Sequence, residues 1–436
     1  MAPATARGET DGVSQESRSV TEERPKVVAP EEPPEPHARP KRRRRWPIVL
    51  AAVVVVFVAL FYLGGGWYFS GRIYTKALSG SAKRDATTSY TIPVVTSSAD
   101  SITLQIPSDP GQLLTPGIWG LQWPTGYGQV TRIQARTGST VTRAFHLITG
   151  TEPPATGTKV ALDNKAYPQD PAVGLGIPFR NVTYRGPLGA YPAWFIPGSR
   201  DTWAILVHGN SLNRLDTIKI VPVLHKEGFP ILVITVRNGI GAPEDSSGML
   251  RYGLTEWRDL EAAVTYAVGR GAQHVILVGY SMGGGIVACF LERSALASRV
   301  RAAILDSPMM DFGRAVDLGA SNETLPVVGL PLPQSLTDVA KWIAGWRYDV
   351  DWAGLNYLAR ADAMRVPILV FQGTADQTVP PETSRELAAG RSNVSLVVVP
   401  RADHLDSWNL NPAAYDTAVR TFLDRVVGPA QTAPAA

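Results

Sequence analysis

The distribution of apolar positions divides the chain into stretches of different texture. Residues 1–45 are mostly Ala, Pro, Glu, Arg, Ser and Thr, with Val the only large aliphatic. Nothing there can build a core, so a solvated, disordered tail is predicted. From Trp46 to Phe69 there are 24 residues without a charge. Coiled as a helix they span roughly 36 Å at about 1.5 Å per residue, enough to cross a hydrocarbon layer. Trp46, Tyr62, Trp67 and Tyr68 lie near the ends of this run, where amphipathic rings favour a membrane interface. Gly64 to Gly66 weaken its last turns and predict that the helix ends early.

Beyond the apolar run, residues 70–178 carry short alternating segments such as Thr91–Thr96 and Ser101–Ile106. This is the pattern of a small β-rich membrane-proximal region. Thr151–Asp170, rich in Pro, Thr and Ala, is expected to connect that region to the next. From 179 the pattern changes again. A hairpin is predicted over 182–196 around Gly186–Gly189. Strand-length apolar runs follow at 203–207, 231–236, 275–278, 302–305, 366–371 and 394–399. Helical patterns fall between most of them, at 255–269 and 284–294, with a last one at 412–427. Continuous aliphatic strands alternating with helices predict an α/β fold over 179–428: a mostly parallel sheet with helices on both faces.

Between Pro308 and Val366 the chain is longer than the dozen or so residues a crossover needs. Its apolar residues, among them Met309, Met310, Leu325, Val327, Val328, Leu330, Leu332, Trp342, Trp346 and Trp352, predict a modest cap over 309–360 lined by aliphatic and aromatic side chains. Ordinary packing of helices on the sheet is the alternative. Residues 429–436 are expected to be a disordered tail.

Composition narrows the classes. With 436 residues, 44% hydrophobic and 18% charged, the chain is not collagen-like, coiled-coil or wholly disordered. One cysteine, Cys289, excludes an intramolecular disulfide framework and a cysteine-rich zinc site, and mid-helix it is expected to be buried packing. No cluster of His with Asp or Glu at ligand spacing suggests a metal. The net charge of +4 raises the question of nucleic acid. Five of the 42 basic residues, however, form the run Lys41–Arg45 directly before the apolar segment. That is a membrane signal, and no nucleic-acid partner is expected. A buried core helix of this length would need a polar face. A cleaved signal peptide would need a shorter run and a better cleavage site than Ala77-Leu78-Ser79. The remaining reading is an uncleaved single-pass anchor. The basic run is denser than Arg72, Lys76, Lys83 and Arg84 behind the segment, which predicts a cytoplasmic N-terminus and everything after residue 70 outside.

The sharpest local motif is Gly279-Tyr280-Ser281-Met282-Gly283, a G-x-S-x-G sequence between a strand pattern and a helix pattern. A serine on that turn projects its hydroxyl above the strand ends, and the glycines remove side chains that would collide. A hydroxyl becomes a nucleophile when a base held by a carboxylate takes its proton, and in this topology the chain order is Ser, acid, His. Of the six histidines only His404 follows Ser281. It sits in a loop directly after the strand at 394–399. Asp376, in the loop after the strand at 366–371, is the expected acid, with Asp311 as the alternative. Asp403 and Asp406 lie too near His404 along the chain to orient its ring. The oxyanion needs backbone N–H donors. Met282 is expected to supply one, and the loop His208-Gly209-Asn210-Ser211 the other, from Asn210 or else from Ser211. His208 precedes the nucleophile and is expected to be structural.

The segments His208-Gly-Asn210, Gly279-Tyr-Ser-Met-Gly283, Leu305-Asp-Ser-Pro308, Gly373-Thr-Ala-Asp376 and His404 occur in an order that resembles the α/β-hydrolase superfamily. The closest texture is that of the serine aminopeptidase-type hydrolases. The resemblance covers about 180–428. It implies a serine hydrolase that works through an acyl-enzyme without a cofactor, with Ser281, Asp376 and His404 as its triad. The expected substrate is a small-molecule or lipid-derived carboxylic ester. Members of such a family also include peptidases and acyltransferases, and both stay open as alternatives on the same triad. A catalytically silent membrane scaffold, its β-rich region binding a partner, is the alternative from another class.

Overall fold

A computed structural model of the chain describes residues 26, 28, 45–84, 87–326 and 329–428. The expected N-terminal tail and basic run (apart from residues 26, 28 and 45), Val327 and Val328 of the cap, and the tail at 429–436 lie outside these residues.

Helix α1 spans Trp46–Ile73 and passes into a π-turn over Tyr74–Leu78. Its most apolar stretch is long enough to cross a membrane, and none of that stretch is buried inside the protein. The early end expected at the glycine triplet is not observed. Glycine costs helix stability mainly through backbone entropy, and here packing holds the turns in place. A Cβ on Gly65 would stand 3.1 Å from Leu336 Cδ1, so the missing side chains are where another helix comes close.

Strands β1 (Ile92–Ser97), β2 (Ser101–Gln105), β3 (Trp119–Trp123), β4 (Gly126–Thr137), β5 (Thr140–Thr149) and β6 (Lys159–Asp163) form a closed barrel in the order β1-β2-β5-β4-β3-β6. Alternating residues such as Ile102, Leu104, Leu121, Val130 and Val141 are buried together in its core. The stretch Thr151–Asp170 is therefore more than a connection, because β6 pairs with both β1 and β3 and closes the ring. Five residues with a single alternation, between Pro- and Gly-containing flanks, are too short a signal for a strand that tertiary pairing fixes. Arg143 lies fully buried at the barrel's edge, donating to the carbonyls of Leu113, Thr115, Gly117 and Thr131.

An eight-stranded sheet follows: β7 (Arg180–Gly186), β8 (Gly189–Ile196), β9 (Thr202–Val207), β10 (Ile231–Ile234), β11 (His274–Tyr280), β12 (Val300–Asp306), β13 (Ile368–Gly373) and β14 (Val394–Val399). The order is β14-β13-β12-β11-β9-β10-β8-β7. Pairing is parallel from β14 to β10 and antiparallel at β8 and β7. Central strands are buried along their whole length because helices cover both faces. Helices α2 (Trp257–Val268) and α3 (Met282–Arg293) pack on one face, with Cys289 buried among them. The C-terminal helix over Pro412–Val426 packs on the other.

The excess chain between β12 and β13 forms α4 (Phe312–Ser321) and α5 (Gln334–Tyr348). Phe312, Ala315 and Leu336 face inward, whereas Trp342 and Trp346 are 71% and 75% exposed and Leu330 is exposed too. Those indoles do not line the cap as expected, since α5 turns them away from the sheet.

Candidate active site

Three loops at the carboxyl ends of parallel strands, where an open α/β sheet places its sites, bring Ser281, Asp376 and His404 together. Ser281 lies on the turn from β11 into α3 with φ of 52° and ψ of −115°, a conformation L-residues rarely adopt. The turn is held by Ser281 N–H donating to Asp306 O and by Met309 and Gly284 N–H donating to Ser281 O, each at 2.9 Å. A Cβ on Gly283 would stand 2.3 Å from Val207 O, so only glycine lets α3 start this close to β9.

His404 Nε2 is 2.9 Å from Ser281 Oγ, and His404 Nδ1 is 2.9 Å from Asp376 Oδ2. Asp376 is buried, and its oxygens also accept from the amides of Thr378 and Val379 and from Gln372 Nε2. Burial works against its charge, but the His404 ring and these donors hold its pKa below the ordinary carboxylate value. Burial likewise opposes a charged His404, and the Asp376 carboxylate outweighs it, so the imidazole pKa lies above the ordinary histidine value. A hydroxyl, an imidazole and a carboxylate in this series can pass a proton from the serine to the ring and hold the resulting imidazolium.

The alternative acid, Asp311, is elsewhere: it caps α4 by accepting from Arg314 N–H. Asp403 accepts from the amides of His404 and Gln377, which shapes the loop. Asp406 takes bonds from Asn164 and Gln112. Ser307 Oγ accepts from Leu405 N–H.

The loop 208–211 lies against the serine, since a Cβ on Gly209 would stand 3.3 Å from Ser281 Cβ. Asp216 fixes this loop by accepting from Gly209 N–H and from Ser211 Oγ. Among the described residues no acceptor takes a hydrogen bond from the amides of Asn210 or Met282. Unpaired amides beside a hydroxyl are the resource an oxyanion would use. His208 is buried, accepts from Val236 N–H on Nε2, and sits beside Gly209 O through Nδ1. Burial lowers its pKa, consistent with a neutral, structural ring.

Several residues with a part in this geometry are not among the site residues the sequence predicted. Asn164, just after β6, donates to His404 O and to Asp406. Lys219 is buried and donates to Asn164 O, Leu405 O and Asn409 Oδ1. Asp306, fully buried at the end of β12, has a pKa pushed up to about 6 by burial, with Lys219 acting against that. Tyr252 donates to Ala77 O and accepts from Asn210 Nδ2, linking the loop by the serine to the end of the N-terminal helix. A cavity of about 400 Å³ opens here, with His404, Asn210 and Tyr252 in its wall.

Residues 204–418 match a family model described as the alpha/beta hydrolase family. An uncharacterised protein, YfhR, of Salmonella typhimurium is 26% identical over 266 residues, which cover 57% of this chain and 80% of that protein. Its counterpart in Salmonella typhi is likewise 26% identical over 266 residues. Among solved structures, an esterase of Pyrococcus furiosus superposes with a TM-score of 0.48 at 20% identity, covering 60% of this chain and 97% of the esterase. A thermophilic esterase of Thermogutta terrifontis gives a TM-score of 0.40 at 20% identity, covering 57% and 99%.

Proposed function

Residues 204–418 belong to the α/β-hydrolase family, and on that premise we propose that the chain is a membrane-anchored serine hydrolase of carboxylic esters. Ser281 is its nucleophile, His404 its general base and Asp376 the group that orients and stabilises the imidazolium. The observation that carries this reading is the unbroken series Ser281 Oγ, His404, Asp376, with both links at 2.9 Å and the serine on a strained turn. In the forward step His404 Nε2 accepts the hydroxyl proton as Oγ bonds to the carbonyl carbon. The carbonyl oxygen becomes an oxyanion held by the Asn210 and Met282 amides. His404 then returns the proton to the leaving alkoxide, and water attacks the acyl-enzyme by the same route reversed.

Helix α1 supports the anchoring part of the reading, being long, apolar and unburied over its most apolar stretch. The basic run before it supports an N-terminus in the cytoplasm and a catalytic domain outside. A mostly apolar cavity beside His404, with Arg72, Lys76, Lys83 and Glu323 also in its wall, supports an ester with a hydrocarbon acyl chain. The test is fluorophosphonate labelling of the full chain in detergent, beside its Ser281→Ala variant. Labelling of the first and not of the second is expected. Two folded proteins that both stay unlabelled would refute the reading and leave a silent scaffold.

A further inference from the structure

The cavity beside His404 is not walled by the hydrolase elements alone. Phe69, Ile73 and Ala77, spaced one helical turn apart on the N-terminal helix and its π-turn extension, line it opposite Val316 of α4 and Leu332 of the cap. The end near Ala77 is the catalytic end, because Ala77 O accepts from Tyr252, whose hydroxyl meets Asn210. Phe69, eight residues earlier, lies roughly 12 Å along the helix toward its apolar span. There it packs with Leu332, Leu336 and Ala340. Glu323 of the cap pairs with both Arg72 and Lys76, so the helix and the cap are clasped where the cavity lies between them.

The outer surface of the same cap carries an independent sign. Trp346, largely exposed on α5, has its ring 6.5 Å from that of Trp67, and the Arg347 guanidinium lies 3.6 Å from the Trp67 ring centre. Trp67 stands at the end of the apolar run, where indoles settle at the lipid interface. Trp346, and Trp342 one turn before it, are therefore at the same level as that interface. On a surface bathed in water such a patch would be a liability. Continuous with an apolar span, it fits a lipid surface.

We propose that α1 is a wall of the substrate site as well as an anchor. Phe69, Ile73 and Ala77 line a slot that receives the hydrocarbon chain of an ester lipid taken from the bilayer surface, with Trp342 and Trp346 resting on that surface. This rests on the serine-hydrolase reading given above.

The test uses the full chain reconstituted in phosphatidylcholine vesicles and a long-chain alkyl fluorophosphonate with a diazirine on its chain. After the probe reacts with Ser281, illumination is expected to join its chain to residues within 69–77, located by mass spectrometry. Crosslinks confined to other parts of the chain would overturn the proposal. In parallel, Ile73→Trp should obstruct the slot and lower the ratio of kcat/KM for a palmitoyl ester to that for a butyryl ester by about tenfold or more. An unchanged ratio in a folded variant would count against it, and the crosslinking decides the matter should the variant not fold. A folded wild-type chain that takes no probe at all would instead defeat the hydrolase reading, and this proposal with it. A labelled chain with crosslinks elsewhere defeats this proposal only.

Discussion

Gly66 of α1 lies so close to Val339 of α5 that a Cβ built on it would stand 2.6 Å from Val339 Cγ1 and 2.9 Å from Ile343 Cδ1. The side chains of Val339 and Ile343 occupy the space that a side chain on Gly66 would need, the arrangement small residues permit between packed helices. Gly64, two residues earlier, would meet nothing within 4 Å. Gly66→Leu is expected to push α5 away and cost about 1–3 kcal/mol, whereas Gly64→Leu should cost nothing and gain a few tenths to about 1 kcal/mol of helix propensity. Thermal unfolding of the two variants in the same detergent checks this. Equal melting temperatures would mean that the contact does not hold the cap.

Ser281 stands at φ of 52° only because its neighbours force it there. Such strain costs on the order of 1–3 kcal/mol. Replacing it by glycine should abolish ester hydrolysis, by roughly a thousandfold or more, and at the same time raise the melting temperature. A variant that is inactive and also less stable would show that the turn is not strained.

The rate should depend on pH with a defined sign. His404 acts as a base only when neutral, and its pKa is held above the ordinary histidine value, with burial opposing Asp376 and Asp376 prevailing. Hydrolysis measured as kcat/KM is therefore expected to rise with pH through a midpoint above about 6.5. Asp376→Asn removes the carboxylate, so burial is opposed only by the smaller effects of Asp306 and Asp403 and the midpoint should move to lower pH. The plateau should fall by roughly 10³–10⁴-fold. A midpoint that stays in place would separate Asp376 from the titration of His404.

The same pair ties stability to pH. Because His404 is raised in the fold, its contribution is fully present below the ordinary histidine value and is lost as pH rises through the folded one. Asp376 is lowered in the fold, with burial opposing and His404 and its amide donors prevailing. Its contribution is present above the ordinary carboxylate value and is lost as pH falls through the folded one. The wild-type chain should thus exceed His404→Gln in melting temperature most clearly between these limits. A constant difference from pH 3 to pH 9 would contradict the linkage.

Arg143 ends in a ring of backbone carbonyls, and among the described residues no carboxylate bonds to it. Burial pushes its pKa down to about 10, so it keeps its charge at neutral pH. Arg143→Met leaves those carbonyls without a donor and is expected to destabilise the chain by about 1–3 kcal/mol or more. Denaturant unfolding followed by tryptophan fluorescence, with buried Trp119 as a reporter in the barrel, measures it. A loss below 1 kcal/mol would mean that water satisfies the carbonyls equally well.

How much of this was legible beforehand depends on where each signal resides. Parallel strands such as Thr202–Val207 and Ile368–Gly373 are buried on both faces, so their apolar runs stand out from the sequence. Ser281 was legible because a tight turn demands glycines at fixed offsets, and His404 because no other histidine follows the serine. Strand β6 was not, since its position is set by β1 and β3 rather than by its own five residues. The glycine triplet was misleading for a related reason: glycine weakens an isolated helix and strengthens a close helix contact, and only the partner decides which. Asn164 and Lys219 carry no motif because their partners are mostly backbone carbonyls, which any sequence supplies.

The bonds between Asn164 and the segment around His404 span 240 residues of chain. At the roughly 5–20 residues per second of synthesis, the barrel is complete on the order of 12–50 s before the segment it braces has been made. During that interval the face formed by Ile118 and Asn164 has no Asn409 to bond with. The segment that completes the site therefore reaches a surface whose residues were made long before, and a chain that ends between β12 and His404 carries every strand of the barrel but no completed site beside it.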